Sequence, residues 1–172
     1  MAAIPAAYRE IVDPLVNHAR TLLEQGESLE ALAFVGNLTT RQLAAVPMNP
    51  GSEPAKDAAA RQIRELAHQH AADFVVIVME AWSLPPKKMK RMGEIIERFG
   101  SIGASPYRVD VVSFSLETRY GIWVAQVPLR PKSGSKKKRT FGQPEFRLFT
   151  EAEGRFVDLL PIKDEERTPS LQ

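Results

Sequence analysis

An α+β fold is what this sequence predicts: a predominantly antiparallel sheet of six or seven strands with two or three helices packed on one face. Three observations lead there. Two segments carry apolar residues at helical spacing and contain helix-start signals. Seven short apolar runs follow one another mostly in pairs, separated by turn residues, which is the signature of successive hairpins. One of these runs, 74–79, is apolar at both parities and is therefore expected to be a central strand covered on both sides.

Each element has its own local reason. Ile11, Leu15, Leu22 and Leu23 fall near one face of an N-terminal helix. Asp13-Pro14 has the form of an N-cap followed by proline at the first helical position, so the main helix is expected to start there. Residues 5–12 are then a separate turn or a kinked extension, and Gly26 ends the helix. Runs 29–35 and 43–48 flank Gly36-Asn37 and read as a hairpin. Asn49-Pro50-Gly51-Ser52 breaks the chain, and Ser52 caps a second helix over about 53–70, with Ala59, Ile63, Leu66 and Ala67 facing inward. Strand 74–79 continues through Glu80-Ala81-Trp82 until Pro85-Pro86 stops it.

Residues 87–99 read as a short basic helix weakened by Gly93. Strands 109–116 and 122–129 make a second hairpin around a turn at 117–121, with one of Tyr120 and Trp123 as a core aromatic. Strands 145–149 and 155–160 make a third around Gly154. The join at 83–106 decides whether its flanking strands are parallel or antiparallel, and the hairpins on either side favour antiparallel. The predicted organisation is one domain over 1–162, containing a mobile Gly/Ser/Lys-rich basic loop at 130–140, and a polar tail over 163–172.

Composition narrows the chemistry. The chain has 172 residues and is 44% hydrophobic, enough for a core that needs no covalent staples. With no cysteine it has no disulfide, thiolate metal site or cysteine nucleophile. Residues 1–8 have neither the basic start nor the apolar stretch of a secretory signal, and no run is long enough to cross a bilayer. The expectation is a cytoplasmic protein with no membrane partner. His18, His68 and His70 lack metal-ligand spacing, no nucleophile elbow or phosphate-binding glycine loop is present, and no catalytic residue, metal or cofactor is expected.

Charge is the main functional signal. Residues 83–140 hold 13 Lys/Arg against 4 Asp/Glu, whereas the rest of the chain holds 10 against 17. Two clusters account for most of this excess: Lys87, Lys88, Lys90 and Arg91, and then Arg130, Lys132, Lys136, Lys137, Lys138 and Arg139. Such runs are either solvated surface or an anion-binding patch of the kind that neutralises phosphates, and Phe141, next to the second, offers an aromatic ring for base stacking.

A second constellation is polar. Glu80 shares a strand face with Phe74, Val76, Val78 and Trp82, and a carboxylate there needs a partner. If the next strand is antiparallel, its first residues bring Arg108 close, with Tyr107 and Trp82 flanking. That is a small pocket or a structural ion pair. The strand ending Glu80-Ala81-Trp82 and the following Ser105-Pro106-Tyr107-Arg108-Val109-Asp110 resemble a pattern in small bacterial or phage proteins of unknown function. The resemblance implies adjacent strands and a prokaryotic or phage origin, and brings no activity with it. The basic insert between the two elements departs from that pattern.

Together these features favour a non-enzymatic binding module that contacts nucleic acid or an acidic protein through its basic loops. The alternatives are a ligand-binding protein or enzyme built around Glu80 and Arg108, and a homo-oligomer that uses an uncovered sheet face.

Overall fold

Residues 74–78 are buried at both parities, so the strand that carries them must be covered twice. The computed structural model describes residues 3–48, 51–135, 137–150 and 159–161. In order, its elements are α1 (Ala6–Glu24), β1 (Leu32–Gly36), β2 (Leu43–Pro47), α2 (Glu53–Gln69), β3 (Phe74–Ser83), a 3-10 turn (Pro86–Arg91), α3 (Met92–Phe99), β4 (Val109–Thr118), β5 (Gly121–Pro128), β6 (Arg130–Pro131), β7 (Arg139–Thr140) and β8 (Arg147–Phe149). The sheet has six strands in the order β2-β1-β3-β4-β5-β8, and β6 and β7 form a separate two-stranded ribbon. All of these pairs are antiparallel, including β3 with β4 across the 83–106 join. The chain is thus an α+β protein with an antiparallel sheet.

The helices occupy both faces of the sheet, rather than the one face expected. Alternation along β3 sets this division. Phe74, Val76 and Val78 join Val112, Phe114 and Leu116 of β4 and Trp123 and Val127 of β5 under the α1 residues Tyr8, Val12, Val16, Ala19 and Leu23. Val75 and Ile77 point the other way, joining Ala33 and Val35 of β1 and Val46 of β2 under Ala59, Ile63 and Ala67 of α2. Fully burying a large apolar side chain contributes about 1.5–3 kcal/mol. A strand apolar at both parities therefore gains most when each face has its own helix.

Helix α1 runs unbroken through Pro14 instead of starting there, with Pro5 preceding its first residue. An interior proline removes one hydrogen bond and costs about 3 kcal/mol in an isolated helix. Pro14 is exposed, and Tyr8 and Val12 before it and Val16, Ala19 and Leu23 after it are buried, so packing on both sides offsets that cost. The buried stripe is rotated from the expected one: Ile11 and Leu15 are only partly buried and flank it. Helix α2 matches expectation closely, and the Ser52 side chain accepts a hydrogen bond from the Ala55 N–H at 3.2 Å.

The expected basic helix divides into the 3-10 turn and α3, which ends at Gly100 with φ of +88°. Strand β4 runs through Glu117 and Thr118, two residues expected in the turn. The tight turn is Arg119-Tyr120, with Thr118 paired to Gly121. Burial of Glu117 is possible because its carboxylate accepts hydrogen bonds from the backbone N–H groups of Leu159, at 2.9 Å, and Leu160, at 2.8 Å. Most of the expected strand over 155–160, and the tail over 163–172, lie outside the described residues. Among the described residues no helix is long and apolar enough to cross a membrane.

Two glycines test this packing in opposite directions. A β-carbon on Gly36 would sit 2.3 Å from Cζ of the buried Phe74, whereas one on Gly93, within α3, would meet nothing within 4 Å. Gly36→Ala should destabilise the protein by about 1–3 kcal/mol through overpacking. Gly93→Ala should stabilise it by about 0.5–1 kcal/mol through helix propensity. Urea denaturation of the two variants checks both signs.

Candidate functional site

Among the described residues, the basic clusters and the Glu80 group singled out by the sequence gather at one end of the sheet. Ser83, the last residue of β3, pairs with Val109, the first of β4, and Pro128, the last of β5, pairs with Val111. Leu129 then donates its N–H to the Asp110 carbonyl at 2.9 Å. The 3-10 turn that carries Lys87, Lys88, Lys90 and Arg91 and the ribbon that begins at Arg130 therefore leave the sheet from the same end.

Strand β1 pairs with β3 only over 74–78, so the last residues of β3 extend beyond it. On that extension Glu80 accepts a hydrogen bond from the Leu29 N–H at 2.9 Å through Oε2, and Oε1 pairs with Arg139 at 2.6 Å. The pair is about one-quarter exposed on each side, at 28% for Arg139 and 27% for Glu80.

Glu80 and Arg108, the expected pair, are not partners. The register sets Glu80 opposite Val112 and Trp82 opposite Asp110, so Arg108 begins beyond the end of β3. Its guanidinium donates to the Gly103 carbonyl at 3.0 Å and lies 5.6 Å from the Trp82 ring centre. Tyr107 stacks edge-on against Phe99 and carries the Lys88 ammonium 4.5 Å above its ring centre. Glu80 is thereby assigned to holding the ribbon, while Trp82, Tyr107 and Arg108 form a separate group at the strand end.

The ribbon is held at a second point. Glu24, the last residue of α1, accepts from the Thr140 hydroxyl at 2.6 Å and from Lys132 Nζ at 3.2 Å. A carboxylate at a helix C-terminus opposes the helix dipole, and these partners compensate it. Chiefly the Thr140 hydrogen bond, and then that from Lys132, hold its carboxyl below the usual carboxylate range. Arg20, one turn earlier, donates to the carbonyls of Phe141 and Gly142 and lies 4.6 Å from the Phe141 ring centre. Within the ribbon, Lys132 donates its N–H to the Lys138 carbonyl and the Lys138 N–H bonds Ser135 Oγ.

These contacts sort the cations. Lys132 and Arg139 are ion-paired within the fold, and Arg91 bridges Glu94 at 3.2 Å on the surface. Lys87, Lys90, Arg130, Lys137 and Lys138 are exposed, and Lys136 lies outside the described residues. Phe141, considered from the sequence as a stacking residue, is buried at 2% exposure against Phe114 and is part of the core. Sequence reasoning missed Glu24 and Arg20 as anchors. An acidic residue closing a helix that has no basic residue in its last turn is the local signal for Glu24 that the sequence carries. His70 Nδ1 lies 3.2 Å from Gln42 Oε1, and among the described residues no group of three or more His, Cys, Asp or Glu is arranged to hold a metal ion.

No protein-family model matches the chain, and no curated protein or solved structure matches it.

Two outcomes follow from the anchors. Glu80→Ala leaves the Leu29 N–H and Arg139 without their acceptor and should lower stability by about 1–3 kcal/mol, whereas Arg108→Gln should change it by less than about 0.5 kcal/mol. Chemical denaturation separates these two cases. Because the Glu24 pKa is depressed in the folded state, its contribution is present above the unfolded carboxylate value, about 4.3, and is lost as pH falls through the lower folded value. Glu24→Gln should therefore flatten the acid limb of the melting temperature against pH, below about pH 4.5.

Proposed function

We propose that the protein is a non-enzymatic binding module that holds an anionic partner at the sheet end from which both basic segments depart. The observation that carries this reading is the division of labour among the cations. Lys132 and Arg139 fasten the ribbon to Glu24 and Glu80, and Arg130, Lys137 and Lys138 remain exposed on it. A fastened ribbon presents its charges without the full entropy loss of ordering a free loop, which favours binding. Lys87 and Lys90, exposed on the 3-10 turn, leave from the same sheet end and add to the same positive field. The exposed cations lie on connecting segments above a rigid sheet, where recognition commonly resides.

Heparin titrated at two salt concentrations tests this reading. The wild-type protein should bind, with affinity falling steeply as salt rises. The variant carrying Lys87→Gln, Lys90→Gln, Lys137→Gln and Lys138→Gln should bind at least about tenfold more weakly, with a flatter salt dependence and an unchanged melting temperature. These four positions spare the anchoring residues, so lost binding is not lost folding. Equal binding by the variant and the wild type sinks the reading.

A further inference from the structure

Trp82 is 56% exposed, although it stands on the β3 face whose earlier members, Phe74, Val76 and Val78, are core. A lone exposed aromatic is ordinary, but this one has a built setting. The backbone at Gly103 closes against its benzo edge so tightly that a β-carbon there would lie 2.3 Å from Cε3. The Arg108 guanidinium lies 5.6 Å from the ring centre and is itself fixed by the Gly103 carbonyl. Next along the chain, Tyr107 is half-buried with Lys88 over its ring. The Glu80–Arg139 bridge that fastens the ribbon lies two residues before Trp82 on the same strand face, roughly 7 Å away along the strand. An aromatic ring with restricted freedom thus has the Arg108 guanidinium beside it, with the Lys88–Tyr107 pair next to Arg108 and the anchored ribbon two residues back along its strand.

Resting on the anionic-partner reading, we propose that Trp82 is a stacking platform for an unpaired base and that the partner is a single-stranded nucleic acid. Sulfated polysaccharides and acidic peptides supply negative charge but no succession of flat rings. Duplex DNA supplies phosphates but keeps its base faces stacked on one another. A single strand offers both a phosphate chain for the cations and accessible base faces for the indole. The site also contains opposing charge. Asp110 is exposed directly across from Trp82, and Glu94 is taken up by Arg91. Asp110 therefore repels phosphates at the platform, and removing its charge should tighten binding.

The chain has two tryptophans, and Trp123 is buried at 2% exposure, so Trp82 is the solvent-accessible reporter in intrinsic fluorescence. The experiment titrates the full chain with a single-stranded oligothymidylate about 15 nucleotides long. Duplex DNA of equal length, heparin and poly-glutamate are run in parallel. The expected result is quenching of Trp82 emission by the oligothymidylate, with tighter binding than any of the other three probes. Trp82→Leu should weaken oligothymidylate binding about tenfold while leaving heparin binding unchanged, and Asp110→Asn should strengthen the former. Heparin bound as tightly as oligothymidylate, or an unchanged oligothymidylate affinity in Trp82→Leu, overturns the single-strand inference and leaves the anionic-partner reading standing. Tighter binding of the duplex or of poly-glutamate replaces the single strand with that class of partner. Failure of all four probes to bind overturns both readings.

Discussion

The two-sided burial of β3 is the constraint on which the rest of the molecule depends. A strand with apolar side chains at both parities cannot leave either face to water, so each face needs its own cover. Helix α1 supplies one and α2 the other, and the two cores they close share no side chain. The same strand also sets where the candidate site lies. Its neighbour β1 is half its length and pairs only with 74–78, so the remaining residues run past the doubly covered region. There the sequence changes from unbroken hydrophobics to Met79-Glu80-Ala81-Trp82, and the site begins where the core stops.

Beyond that point electrostatics takes over from packing. Glu24 at the end of α1 and Glu80 on β3 lie far apart in sequence, yet both hold the one ribbon, through Lys132 with Thr140 and through Arg139. Partly exposed ion pairs of this kind contribute modestly to overall stability. Their larger effect is positional: they set the orientation of a short two-stranded element whose own ladder joins only two residue pairs. Arg20 adds a third attachment through the carbonyls of Phe141 and Gly142, and burial of Phe141 fixes the base of the ribbon in the α1-side core. A basic segment that looks uniform as a string of letters is therefore two populations, one inside the fold's own ion pairs and one exposed.

Much of the architecture was legible because local rules and tertiary packing agree. Ser52 capping α2, the 3.6-residue stripe of that helix, the turn between β1 and β2 and the hairpin of β4 with β5 depend on neighbours a few residues away, which a sequence displays directly. Disagreement arose where distant burial outweighed a local signal. Asp13-Pro14 has a convincing helix-start form, but apolar residues on both sides of it find the same sheet face, and the helix runs through. Glu117 resembles a turn residue, but backbone N–H groups some forty positions later make its burial tolerable.

Sequence by itself determined the class of fold, the first two antiparallel hairpins, the central strand and the regions where positive charge concentrates. These follow from periodicity, turn chemistry and composition, all of which act over short separations. Only the tertiary structure decided which face each helix covers, that Glu80 meets Arg139 instead of Arg108, that Phe141 is core and that Trp82 is exposed beside Arg108. Those outcomes depend on strand register and on how far β3 extends past β1. A shift of two residues in register exchanges every partner at the sheet end while keeping each side chain on its own face, so the hydrophobic alternation carries no record of which partner is chosen.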